Sequence, residues 1–249
     1  MMKFRETSLK RSLKNIFLKR HANVVVIESH LGLGDHLICQ GLVREIVQRE
    51  PHKIFYFACL PRNYHSVTWM FQDLNNLFVF CVSSGREARQ YSGFLNASII
   101  YIGIKNVELQ RFDEFFYEQH EIPFHLRWTN VKVFPGPQSD SLYQQLNPGD
   151  DKYMLVCDES SSGILNTELH ISNTLNLKVI KTFPASNNIY DWTTLILKAT
   201  EIHSIDTSFL HLVESVLYDQ QPMPLYYHKI RTTIGKFSRR LPWQEIEYS

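Results

Sequence analysis

Short continuous apolar runs alternate with stretches of helical periodicity along most of this chain. The run Val24-Val25-Val26-Ile27 is β-branched throughout, which predicts a strand covered on both faces, as in a parallel sheet. Gly32 and Gly34 follow and permit a sharp turn with close approach of a ligand. Leu37, Ile38, Leu42 and Ile46 then recur at the spacing of a helical apolar face, with Asp35 where an N-cap is expected. Pro51 interrupts that helix. Lys53 to Leu60 reads as a second strand closed by Pro61-Arg62, Ser66 to Leu74 as a helix, and Leu77 to Val82 as a third strand ending at Ser83-Ser84-Gly85. A further apolar run covers Ala97 to Ile104. Between Arg111 and Trp128 the chain is aromatic and charged, with Phe112, Phe115, Phe116, Tyr117, Phe124 and Trp128. Helices are expected there, with ordinary packing as the first role of the rings and a cleft lining as the second.

Phe134-Pro135-Gly136-Pro137 through Asn147-Pro148-Gly149-Asp150-Asp151 is rich in turn formers and reads as a linker. Beyond it the alternation restarts. Tyr153 to Cys157, Leu177 to Lys181 and Glu201 to Ile205 are expected strands; Asp191 to Lys198 and Thr207 to Leu217 are expected helices. Alternation of this kind predicts an α/β fold with doubly wound parallel sheets. The expected organisation is a basic segment 1–21, a Rossmann-like domain 22–135, a linker 136–151, a second Rossmann-like domain 152–221, and a basic tail 222–249 that packs back on the first domain. The architecture is two Rossmann-like halves facing each other across a cleft.

Composition changes this picture little. The chain has 249 residues, 44% of them hydrophobic, enough for a core in one large or two small domains. A net charge of +1 gives no general reason to expect nucleic acid. Cys39, Cys59, Cys81 and Cys157 stand singly in apolar surroundings, as small core residues of a reducing compartment and not as a disulfide frame or zinc site. No apolar run approaches a membrane span or the centre of a signal peptide, so a cytoplasmic location is expected. The first 21 residues carry Lys3, Arg5, Lys10, Arg11, Lys14, Lys19 and Arg20 against Glu6 alone, with Leu9, Leu13, Ile16 and Phe17 at helical spacing. A packed terminal helix with a solvated face accounts for this; peripheral contact with an anionic membrane is the competing reading.

Two loops can carry chemistry. Gly32-Leu33-Gly34-Asp35-His36 sits at the carboxyl end of a strand, where ligands bind in open α/β sheets. Leu37 occupies the third glycine position of a dinucleotide fingerprint, and Arg62 stands where an acidic ribose ligand belongs; both argue against a dehydrogenase. Asp35 is either a helix cap or an active-site carboxylate. As a base beside a helix N-terminus it needs partial desolvation when substrate closes the cleft. In the second loop, Asp206-Thr207-Ser208-Phe209-Leu210-His211, backbone N–H groups and the hydroxyls of Thr207 and Ser208 open a helix and suit a phosphate. Asp206 is a cap or a site residue. His211, one turn on, is either a hydrogen-bonded core histidine or a ligand contact. Between these loops, Asp158 to Gly163 offers the hydroxyls of Ser160 and Ser161 for a sugar or ribose, in an acidic setting unsuited to a diphosphate. No P-loop, G-x-S-x-G elbow, H-E-x-x-H or D-x-D pair occurs.

Gly34-Asp35-His36-Leu37-Ile38 after an apolar strand, and Asp206-Thr207-Ser208-Phe209-Leu210-His211-Leu212 after a short one, carry a resemblance. The chain resembles the GT-B glycosyltransferases, most closely the heptosyltransferase-like group (glycosyltransferase family 9), in a shortened form. The resemblance implies an inverting, metal-independent enzyme without cofactor. It implies a nucleotide-sugar donor in the second domain and a glycan or glycolipid acceptor in the first, as in polysaccharide biosynthesis. Asp35 maps onto the candidate base, with Gly32, Gly34 and His36 as its loop on the acceptor side. Asp206, Thr207, Ser208 and His211 map beside the donor diphosphate. The family's basic residues there have no match in Asp158 to Gly163; Lys181, at a strand end, is the nearest substitute.

Glycosyl transfer passes through an oxocarbenium-like centre. A leaving diphosphate then needs fixed donors such as Thr207 and Ser208, and the acceptor hydroxyl needs a base. A non-catalytic GT-B-like protein that binds a glycan or nucleotide is the alternative, on the ground of the missing basic residues.

Overall fold

The computed structural model describes residues 23–29, 32–103, 111–160, 163–164, 170–230 and 237–248. The basic segment 1–21 and Ser161 lie outside them. The described chain folds as two parallel sheets, one per half. In the first, β1 (Val24–Ser29), β2 (Ile54–Cys59), β3 (Leu77–Cys81) and β4 (Ser98–Ile102) stand in the order β3-β2-β1-β4. β1 is buried along its whole length, as its β-branched run requires of a central strand. The strand order reverses beside β1, which places a crevice at its carboxyl end.

The second sheet contains β5 (Tyr153–Cys157), β8 (Lys178–Lys181), β9 (Glu201–Ser204), β10 (Leu225–Lys229) and β11 (Gln244–Glu247), in the order β11-β10-β9-β5-β8. All pairings within it are parallel. β6 (Glu159–Ser160) and β7 (Gly163–Ile164) form a small antiparallel ribbon after β5. Here β5 is the central buried strand and the order reverses beside it. A single apolar cluster runs through both halves, from Ile27, Leu42 and Phe57 to Leu155, Ile202 and Leu212.

Among the described residues the helices are α1 (Leu33–Ile38), α2 (Gln40–Arg49), α3 (Tyr64–Met70), α4 (Gly85–Leu95), α5 (Phe112–Glu118), α6 (Leu126–Thr129), α7 (Ser139–Leu146), α8 (Thr193–Lys198) and α9 (Ser208–Val216). Short 3-10 turns precede α3 and α8, at Pro61–Asn63 and Ile189–Trp192.

Several expectations need correction. The helix expected through Ile46 is two helices, because Cys39 (φ −86°, ψ 3°) bends the backbone between α1 and α2. The stretch read as linker contains α7, whose Leu142 and Tyr143 are buried. The stretch read as a tail supplies β10 and β11, because Leu225 and Tyr227 continue the buried face of the second sheet beside Ile202. The same stretch also returns to the first half, where the Ser238 backbone N–H donates to Asp113 Oδ2 at 2.7 Å. Phe116 and Tyr117 are fully buried, so these two rings are packing and not cleft lining. Cys81 is exposed while the other three cysteines are buried, since β3 is an edge strand.

Candidate active site

The two loops singled out above meet at the seam between the halves. α1 packs against α9. A Cβ on Gly34 would stand 3.3 Å from His211 Cδ2 and 3.8 Å from the Ser208 Cα. Glycine leaves this approach unstrained, whereas a larger side chain would have to displace His211. A hollow of about 440 Å³ opens at this seam. Gly32, Leu33, Gly34, Arg62 and Asn63 line it from the first half; Cys157, Glu159, Thr182, Phe183, Trp192, Thr207, Ser208 and Phe209 are among those lining it from the second. Every one of these loops follows a strand at its carboxyl end or opens a helix, the position that doubly wound sheets reserve for ligands.

Asp35 does not cap its helix. Gly32 holds the N-cap position in extended conformation (φ −73°, ψ 140°) with no side-chain cap bond, because the helix has already begun at Leu33, which packs on the core. Asp35 is the third helical residue, half-buried, and its carboxylate folds back over Gly32, with Oδ2 2.6 Å from where a Cβ there would sit. Gly32 lines the hollow, while Asp35 itself is not among the described residues that line it. Asp206 is likewise not the cap. Thr207 holds that position, extended at φ −149° and ψ 173°, and Asp206 precedes it.

The Thr207 hydroxyl lies 3.6 Å from Cys157 Sγ. Burial pushes the Cys157 thiol up, against hydrogen bonds from Thr182, Thr207 and Ser204 that lower it; such a thiol stays protonated and is a poor nucleophile. Ser208 begins α9 and lines the hollow. The first backbone N–H groups of a helix have no partner within it, and here they open beside the hollow with the helix dipole behind them.

Two histidines are placed otherwise than on a substrate surface. His36 is fully buried, with Nδ1 3.1 Å from Ser29 Oγ and its ring 5.2 Å from that of Phe57. It faces inward because the core side of α1 continues through Leu37 and Ile38. His211 is 6% exposed and packs edge-on to Phe237 at 4.7 Å. Burial, then the nearby Arg127 guanidinium, hold its imidazole well below the usual histidine range. It is therefore a neutral ring in the seam, not a cation for a diphosphate.

Lys181 lies outside the lining of the hollow; its ammonium pairs with Asp158 Oδ2 at 2.7 Å on a largely exposed side chain. Ser160 falls in the β6–β7 ribbon, whose neighbour Glu159 brings an acidic group to the hollow.

Among the described residues the basic side chain that lines the hollow is Arg62, in the 3-10 turn after β2. In the sequence it stands where a dehydrogenase carries an acidic ribose ligand. Its place at the carboxyl end of a strand, immediately after Pro61, was the available signal. Asn63, 5% exposed, and the rings of Phe183, Trp192 and Phe209 were missed as well; their seam position depends on how the halves pack. A cation and a helix N-terminus with hydroxyls line one hollow, and the Asp35 carboxylate lies against Gly32, which lines it too. That set can hold an anionic leaving group on one side and take a proton on the other.

No family model matches the chain, and no curated protein matches its sequence. Its fold does match solved structures. A glycosyl transferase family 9 structure from Veillonella parvula aligns with a TM-score of 0.61 at 9% identity, over 90% of this chain and 86% of that one. The ADP-heptose LPS heptosyltransferase II of E. coli aligns with a TM-score of 0.57 at 11% identity, over 88% of this chain and 91% of that one. The expected GT-B-like architecture, two Rossmann-like halves facing across a cleft, is the fold of this chain.

Proposed function

We propose that this protein is a glycosyltransferase that moves a sugar from a nucleotide-sugar donor to a hydroxyl of a glycan or glycolipid acceptor. The observation that carries the reading is the meeting of Gly34 with Ser208 and His211, which draws the carboxylate loop of one half and the helix N-terminus of the other around one hollow. Asp35 takes the proton of the acceptor hydroxyl, and transfer inverts the anomeric centre. Ser208, Thr207 and the N-terminus of α9 stabilise the departing diphosphate together with Arg62, and no metal takes part. The part first assigned to Lys181 passes to Arg62, because Lys181 is held by Asp158. Among the described residues no helix is long and apolar enough to cross a membrane. Peripheral contact through residues 1–21 belongs to this proposal for a lipid-linked acceptor.

A non-catalytic binding protein is the second reading, favoured by Glu159 in the lining, which opposes a diphosphate. The test is a screen of nucleotide diphosphate sugars by thermal shift, followed by mass spectrometry of donor turnover with and without EDTA. The reading expects a shift, turnover insensitive to the chelator, and a loss of at least about a hundredfold in turnover for Asp35→Asn, the scale of general-base catalysis. Full turnover in the Asn variant removes Asp35 as the base. A shift without turnover favours the binding protein.

A further inference from the structure

A second recess, of about 390 Å³, opens along the same seam. Tyr64, His65, Thr68 and Trp69 of α3 form one wall; Pro137, Gln138 and the loop Ser186-Asn187-Asn188 form the other. It adjoins the reaction hollow: Asn63 and Ile189 line the hollow, and their chain neighbours Tyr64 and Asn188 line the recess. Its walls are fixed to each other. Ser66 Oγ donates to the Asn187 carbonyl at 3.3 Å and accepts from the Ile189 N–H at 3.0 Å. The Trp69 indole N–H donates to the Phe134 carbonyl at 2.9 Å, which sets the plane of its ring. Asp191 is committed, accepting from the Gln138 N–H and the Ser186 hydroxyl.

What remains for a ligand is aromatic surface on one wall and exposed amides on the other, Gln138 and Asn187. No lysine or arginine is among the described residues that line it, and the exposed His65 is the one basic side chain there, so an anion finds no permanent counter-charge. An apolar ligand would strip water from the two amides without replacing its hydrogen bonds. A neutral pyranose satisfies both walls, its C–H face against a ring and its hydroxyl edge against the amides.

We propose that the recess is a saccharide subsite, holding the second sugar unit of an acceptor whose terminal unit occupies the reaction hollow. The word acceptor rests on the transferase reading; occupancy by a sugar does not. The probe is saturation-transfer NMR of the full chain with cellobiose, lactose and chitobiose in turn. Transfer to the ring protons of at least one is expected. That signal is expected to vanish in Tyr64→Ala and to persist in Phe94→Ala, an exposed ring on α4 outside the recess lining. Asn187→Ala, at an exposed position, provides a second variant independent of the ring, with an expected rise in Kd of roughly tenfold, the scale of one lost hydrogen bond.

No transfer to any of the three disaccharides overturns the proposal, as does undiminished transfer in both Tyr64→Ala and Asn187→Ala. Donor turnover is measured separately on the unaltered chain. Saccharide binding without it sinks the transferase reading and leaves the subsite standing.

Discussion

Glu214 joins α9 to the segment that crosses back to the first half, and its removal tests how the seam is held. It is 2% exposed and accepts three hydrogen bonds: from the Arg240 N–H at 2.9 Å, the Leu241 N–H at 3.2 Å and the Trp243 indole at 2.6 Å. A few residues earlier the same segment is tied to α5, where Ser238 donates to Asp113 and Glu114, and Asp113 also pairs with the buried Arg127. Glu214→Ala therefore releases one end of a strap whose other end stays on the first half. Each bond to a carboxylate is worth about 1.5–3 kcal/mol where water cannot replace it. Residues 239–243 are half-buried or exposed, so their freed donors regain water, and about 1 kcal/mol each is the better figure.

The expected loss is about 3 kcal/mol, or a fall in Tm of about 6–12 °C for a chain of this size. Glu214→Gln keeps Oε1 with its two donors and sets an amide N–H against the Arg240 N–H, so about 1 kcal/mol is expected. Urea denaturation followed by circular dichroism measures both. An Ala variant within about 0.5 kcal/mol of the unaltered protein, the scatter of ordinary surface changes, refutes the strap. So does a Gln variant as damaged as the Ala one.

Three further outcomes follow from the geometry. Arg62→Ala is expected to weaken donor binding about tenfold by calorimetry, with Arg62→Lys in between, since a point charge replaces a bidentate fork; unchanged donor affinity removes Arg62 from the site. Gly34→Ala presses a methyl against His211 Cδ2 at 3.3 Å, and the gain in helix propensity offsets that contact. Gly34→Val forces the seam apart at a cost of about 1–3 kcal/mol, so equal melting curves for the two variants refute the close approach. Burial, then the neighbouring His203 and His170, lower His228 from 6.5 to about 4. The unfolded chain thus binds the extra proton first, and stability is expected to fall as pH drops from 6.5 towards 4. His228→Gln is expected to flatten that slope in urea midpoints, and an unaltered slope would discount the histidine.

Most of the local architecture was legible. A continuous apolar run suits a central parallel strand, and Val24–Ile27 in β1 and Tyr153–Cys157 in β5 are the two such runs around which the sheets reverse. Glycine and proline punctuation separated most of the remaining elements. The site was legible in part, because doubly wound sheets bind at strand carboxyl ends whatever the ligand. That rule located both loops and, applied to β2, would have located Arg62. It was silent on roles within each loop. Whether Asp35 or Gly32 caps α1 depends on where the helix starts, and Leu33 settles that by packing on the core. His36 and His211 looked like site residues, but their side chains turn into the core and the seam.

The order of residues determined two things about this protein: that it is built from two strand-and-helix halves, and which turns in each half follow a strand at its carboxyl end. Hydrophobic period and turn chemistry are local, so they can be read along the chain. Tertiary structure decided that Gly34 lies on Ser208 and His211, that Lys181 is neutralised by Asp158 while Arg62 faces the hollow, and that the presumed tail completes the second sheet. Each of these depends on contact between groups separated along the chain, within the second half for Lys181 and the tail and between the halves for Gly34, and no local pattern encodes such contacts.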